Sequence, residues 1–93
     1  MKLENKTIWW EGGNGDSIND AVKIRGIQNT ADGISDERIF ITNNFGKEKF
    51  DWHLKKQQLL MQNDKAFDVI TIKLADDSLK KIYFDISEFY GQE

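Results

Sequence analysis

The chain has 93 residues, of which 39% are hydrophobic and 31% charged, and it contains no cysteine, no proline and one histidine. This length fits one domain, and the composition is that of a globular chain rather than a disordered one. The lack of cysteine excludes disulfides, thiolate chemistry and sulfur-ligated metal sites, so stability has to come from packing. We therefore predict a single domain over residues 1–93.

The charge and the apolar runs restrict the partners and the location. The net charge is -3, and a modest negative charge repels phosphate backbones, so no nucleic acid is expected as a partner. Residues 1–6 lack the apolar run of a signal peptide, and nowhere do 18 apolar residues follow one another. The sequence predicts a soluble cytoplasmic protein that does not bind membranes.

Two short strands are predicted near the N-terminus. The β-branched and aromatic run from Thr7 to Trp10 predicts a strand that stops at Glu11, where a glycine-rich loop begins. Apolar and charged residues alternate over residues 21–25. This alternation predicts a second strand with Val22 and Ile24 facing inward.

One helix is predicted after a polar, turn-rich loop at residues 28–33. Ser35 is a suitable N-cap and Gly46 a suitable C′ residue, so the helix should lie between them. A strand at residues 39–42 is the competing interpretation, because three β-formers adjoin there. As a helix, the segment would place these side chains inward: Ile34, Ile41 and Phe45, with Phe40 to one side.

From Phe50 onward the apolar spacing changes to two, so Phe50, Trp52 and Leu54 should share a buried face. The alternation breaks at residues 55–58 and then resumes. This break predicts either a bulge in one long strand or two short strands. A turn at residues 63–65 follows.

The last two strands should form a hairpin. With a three-residue loop at residues 76–78, Ala75 pairs with Leu79 and Ile70 lies opposite Phe84. The middle loop residue, an aspartate, can take the left-handed conformation that the loop needs. A final turn at Ser87 is expected to pack Phe89 over an end of the sheet.

These elements define the fold class. Their order is ββαβββ, and we predict an α+β domain with about five strands in a mostly antiparallel sheet and one helix packed on it.

The glycine-rich stretch Gly12 to Asp16 lacks the third glycine of a dinucleotide fingerprint and the Lys-Ser/Thr of a phosphate loop. It also fails the spacing of calcium loops. The interpretations that remain open are a structural loop, a weak cation site and a partner-binding tip.

Trp9 and Trp10 are adjacent, so in a strand their side chains point to opposite faces and only one can enter a single core. An exposed tryptophan beside a flexible loop could stack on a sugar or anchor a protein partner. The alternative is that both are buried at an irregular edge of the sheet.

No catalytic residue is predicted. His53 should face solvent on a strand, without an orienting group that can be placed next to it. The predicted register puts Asp68 opposite Ile86, so Asp68 and Asp85 face opposite sides of the sheet and do not form an acid–base pair. No cofactor and no metal are implied.

The leading hypothesis is a non-enzymatic protein-interaction module, of the inhibitor or immunity type, that acts through a sheet face or the tryptophan and glycine tip. A homodimer through a sheet edge is also possible. The alternative is a small-ligand or carbohydrate binder that uses the two tryptophans and nearby acidic residues. The candidate binding residues are Trp9, Trp10, Glu11, Asn14, Asp16 and Tyr83.

Overall fold

A computed structural model describes residues 9–26 and 30–90 of the chain, which form five strands and one helix. The predicted order ββαβββ and the α+β class are confirmed. Within the described ranges no helix is both long and apolar enough to cross a membrane. The elements are β1 (Trp9–Gly12), β2 (Val22–Arg25), α1 (Thr30–Phe45), β3 (Trp52–Gln62), β4 (Lys65–Leu74) and β5 (Leu79–Asp85).

The five strands form one sheet in the order β1-β2-β5-β4-β3, so β1 and β3 are its edges. Neighbouring strands are antiparallel except β2 and β5, which are parallel and pair Val22 with Phe84. The prediction that the first strand stops at Glu11 is wrong, because β1 continues to Gly12. Pairing of Glu11 with Lys23 on β2 holds the segment extended despite its weak strand propensity.

The helix packs on one face of the sheet, and its Phe40 ring meets Phe84 edge-on with 5.5 Å between centroids. We call the opposite sheet face the open face. As predicted, Val22 and Ile24 are buried and Phe89 of the final turn is buried too. The core between helix and sheet consists of Val22, Ile24, Ile41, Trp52, Ala66, Ile70, Ile72, Ile82, Phe84, Ile86 and Phe89, with Phe40, Phe45, Leu54 and Leu74 packed against it.

The helix prediction is confirmed at its C-terminus and wrong at its start. Gly46 has φ +103° and its N–H donates to the carbonyl of Thr42 at 3.0 Å, which is a C′ glycine cap. The helix begins at Thr30 rather than after Ser35. Gly33, which as a sequence signal indicates a turn, lies inside the helix against the ring of Phe89, where a side chain would collide with it.

The strand β3 is continuous, and a register shift between Leu54 and Lys56 confirms the predicted bulge. Trp52 is buried, and its indole N–H donates to the carbonyl of Gly46 at 2.7 Å. The assignment of Phe50 to the core is wrong, since its side chain is 76% exposed. Residues 47–51 form a turn before the strand, so the alternation starts only at Trp52.

The β4–β5 hairpin has the predicted faces but a register shifted by two residues. Ile70 pairs with Ile82 rather than with Phe84, and Asp68 takes the position opposite Phe84 instead of Ile86. The left-handed residue is Asp77, with φ +71°. In a three-residue hairpin loop this residue comes last, after a type I turn, so the loop closes one residue earlier than predicted.

Candidate interaction site

The side chain of Trp10 makes contacts within the protein, with the helix α1. Trp10 pairs with Ile24 on the helix side of the sheet, and its indole N–H donates to Oδ2 of Asp36 at 2.6 Å. Its ring meets Phe40 edge-on with 5.4 Å between centroids, and 36% of the residue stays exposed. The side chain of Trp9 lies outside the described part, so its exposure stays a prediction.

The polar candidates in the glycine-rich loop have partners within the chain. Oε2 of Glu11 accepts from Arg25 at 2.7 Å, and Oδ1 of Asn14 accepts from the N–H of Asp16 at 3.0 Å. The carboxylate of Asp16 forms an ion pair with Lys80 on β5. These contacts hold the loop along the sheet.

Tyr83 does not form one site with Trp10. Tyr83 is half-buried. Its side chain lies on the open face, because the next residue, Phe84, faces the helix and successive strand residues point to opposite faces. Trp10 lies on the helix side. The backbone N–H of Tyr83 donates to the carbonyl of Gly15 at 2.8 Å, so the loop extends the hydrogen bonding of β5 beyond the end of β2. The predicted tip therefore divides into two surfaces.

A groove lies on the open face, between the glycine-rich loop and the β3–β4 turn, with a volume of about 440 Å³. A smaller cavity of about 190 Å³ adjoins it, because the two share Lys23, Lys65 and Asp85 in their walls. Ile18 and Phe67 supply apolar wall, and Phe67 is buried. We call the two cavities together the open-face groove.

Two cations of the open-face groove have no ion-pair partner in the part of the chain that the structure describes. Neither Lys23 nor Lys65 forms an ion pair with a residue that the structure describes. By contrast, Arg25 is held by Glu11 at 2.7 Å and by Glu88 at 3.3 Å, and these two hydrogen bonds raise the pKa of the Arg25 guanidinium. The lining also includes the carboxylates of Asp20, Asp85 and Glu88, so the groove offers a ligand two ammonium groups beside acidic ones.

Three carboxyl groups lie buried between helix and sheet: Asp36, Glu37 and Asp68. Burial raises the pKa of Asp36, although the Trp10 N–H acts in the opposite direction. Glu37 is 1% exposed, and its oxygens have no hydrogen-bond partner among the described residues. Burial first, and then the nearby carboxyl of Asp68, raise the pKa of Glu37 to about 10, so this group is neutral at pH 7.

The buried carboxyls are enclosed rather than arranged as an open site. Asp68 accepts from the side-chain amide of Gln57 on β3 at 2.7 Å. Among the described residues no group of three or more histidine, aspartate or glutamate side chains is placed to hold a metal ion. Asp85 lies across the sheet from Asp68, on the open face, and His53 is exposed on β3.

The sequence interpretation missed Glu37 and the open-face groove. Glu37 lies four residues before the buried Ile41 and four after Gly33, so the helical period alone places it inward. No comparable signal exists for Lys23 and Lys65, which come together only through the order of the strands.

The open-face groove combines apolar wall with the ammonium groups of Lys23 and Lys65, which form no ion pair with a residue that the structure describes. Such a surface can hold an apolar side chain next to a carboxylate. No family model matches the chain, and neither a curated protein nor a solved structure is significantly similar to it.

Proposed function

We propose that this chain is a non-enzymatic protein-interaction module whose open-face groove binds an acidic segment of another protein. The observation that carries this proposal is the pair of ammonium groups, Lys23 and Lys65, that line both cavities without an ion pair to a described residue. A carboxylate of the partner would be attracted to this pair, while Phe67 and Ile18 offer contact to an apolar neighbour.

The non-enzymatic part of the proposal is supported by where the reactive groups lie. The carboxyls with raised pKa, Asp36 and Glu37, are buried between helix and sheet, on the face away from the groove. A cytoplasmic location is part of the same proposal. It is supported by the cysteine-free sequence, since small secreted domains commonly depend on disulfides.

Binding of a small polar ligand is a second candidate, and the groove volume of about 440 Å³ favours it. Small-molecule sites typically have volumes of about 300 to 1,000 Å³. Trp10 would not contribute to such a site, because its ring packs on the helix side. A carbohydrate platform on the groove would therefore need another aromatic side chain.

The test is selection of peptides from a displayed 12-residue random library against the whole chain. We expect acid-rich peptides, and we expect Lys23→Gln with Lys65→Gln to weaken their binding at least tenfold. The matched control, Lys47→Gln with Lys49→Gln, removes two cations outside the groove and should leave binding within about twofold, because exposed charges at a distance are screened by salt.

Two results would contradict the proposal: selected peptides without an excess of acids, or equal binding to both double variants. A panel of sugars and small anions, tested by thermal shift on the same proteins, separates the second candidate. Stabilisation by such a compound that disappears in the Lys23 and Lys65 variant would assign the groove to a small ligand instead.

A further inference from the structure

The edge strand β3 has two halves with different properties. A bulge at Lys55 interrupts its pairing with β4, and Lys56 follows directly. Bulges and lysines are the devices by which natural sheets prevent an edge from pairing with another chain. The first half of β3 is therefore protected against strand addition.

The second half, Gln57–Gln62, has no such protection. Its six residues include no charged residue, no proline and no glycine. On the helix side of the sheet, Leu59 and Met61 are 50% and 56% exposed. An uncharged, regular edge with exposed apolar side chains is a template for another strand.

The sequence of this half is complementary to itself. In an antiparallel pair the two opposed residues lie on the same face. A two-fold axis perpendicular to the sheet therefore has to pass midway between one residue and the same residue of the second copy. With the axis at Leu60, Leu59 lies opposite Met61 of the second copy, and Gln58 lies opposite Gln62 of the second copy. Apolar side chains thus lie opposite apolar ones, and amide side chains lie opposite amide ones.

The neighbouring registers are less complementary. An axis at Leu59 would place Met61 opposite Gln57, and an axis at Met61 would place Leu59 opposite Asn63. Neither of these registers pairs the two exposed apolar residues with each other.

We propose that a second copy of this chain occupies the β3 edge, pairing antiparallel about a two-fold axis at Leu60, so that two five-stranded sheets join into one ten-stranded sheet. Both exposed apolar side chains of each copy then become covered, and the outward backbone groups of β3 gain partners. This surface adjoins the open-face groove at Gln62, but it does not use Lys23 or Lys65, so either proposal can fail without the other.

The absence of cysteine provides a direct test of the register. In Leu60→Cys the two thiols lie opposite each other at the axis, with Cα atoms about 4.5 to 5.5 Å apart, which suits a disulfide. We expect mild oxidation to convert most of the protein to a covalent dimer of twice the 10.8 kDa chain. The matched control, Lys81→Cys on β5, is also exposed in a strand and should stay largely monomeric.

Introduction of charges gives an independent second measurement by analytical ultracentrifugation. The double variant Leu59→Lys with Met61→Lys, and the double variant Leu59→Asp with Met61→Asp, each create two like-charged pairs and should weaken dimerisation at least tenfold. A mixture of these two variants creates two opposite pairs and should restore the dimer as a heterodimer. A wild-type chain that is monomeric at all concentrations, or a dimer unaffected by these changes and not linked through Leu60→Cys, would overturn the proposal.

Discussion

The two edges of the sheet differ in how far the protein itself uses them. β1 is four residues long, and its Trp10 and Glu11 are held by Asp36 of the helix and by Arg25 of the neighbouring strand. β3 is eleven residues long, and beyond its bulge Leu59 extends half-exposed from the edge. Residue type alone favours the tryptophan as a binding residue. The tertiary contacts show instead that the β3 edge is the surface left free to bind another chain.

Each edge also donates a hydrogen bond to a buried carboxylate. On β1 the donor is Trp10, to Asp36 at 2.6 Å, and on β3 it is Gln57, to Asp68 at 2.7 Å. The carboxyl of Glu37 is influenced by both acids, each of which raises its pKa. Both edges are thus held by hydrogen bonds to neighbouring buried acids, Asp36 and Asp68. They differ in the side chains that they expose to solvent.

The largest loss of stability is expected for Trp10→Ala at the β1 edge. The change removes the edge-on contact with Phe40 and leaves Asp36 buried without its donor. We expect the free energy of unfolding, measured with urea, to fall by about 3 kcal/mol. Trp10→Phe keeps a ring but loses the N–H, and should cost about 1.5 kcal/mol. If both variants are as stable as the wild type, β1 is not anchored as described.

A gain in stability that grows with pH is expected for Glu37→Gln. In the unfolded chain Glu37 loses its proton near its ordinary pKa of 4.5, whereas the folded chain keeps the proton up to about pH 10. The folded state therefore binds more protons between these values, and stability falls as the pH rises, by at most about 1.4 kcal/mol per unit.

The measurement is urea unfolding of wild type and Glu37→Gln at pH 5, 7 and 9. Glutamine is neutral at every pH, so the variant should lose this slope and gain stability relative to the wild type as the pH rises. Burial also raises the pKa of Asp36, and the resulting pH dependence is present in both proteins and largely cancels. Parallel curves for the two proteins would show that Glu37 ionises normally in the fold.

The smallest effect is expected at the β3 edge, for Met61→Ala. More than half of Met61 is exposed in the single chain, so its truncation should change the free energy of unfolding by about 0.5 kcal/mol or less. The measurement has to be made at a concentration where the chain is monomeric. A loss as large as that of Trp10→Ala would mean that both edges are structural, which would remove the difference between them.

The order and type of the elements could be predicted from local patterns, because each element is determined mainly by residues that are close in sequence. Val22 and Ile24 alternate with charged residues, and Gly46 marks the end of the helix. The bulge of β3 was visible as a break in the same alternation. These features depend on neighbours in sequence.

The failures come from contacts between distant residues. The local sequence predicts a loop at Gly33, because nothing in it indicates that Phe89 packs against this residue. The helical period predicts Ile34 in the core, but Ile34 is exposed and Glu37 is buried instead. The open-face groove depends on the strand order, which a single sequence does not reveal.

The parallel pairing of β2 with β5 has a consequence for the order of folding. Val22 and Phe84 are about 60 residues apart in the chain, so their contact requires closure of a long loop, at a large cost in chain entropy. The β3–β4 and β4–β5 hairpins connect neighbouring segments and can form early. Until β2 pairs with it, β5 is an edge strand with unpaired backbone groups.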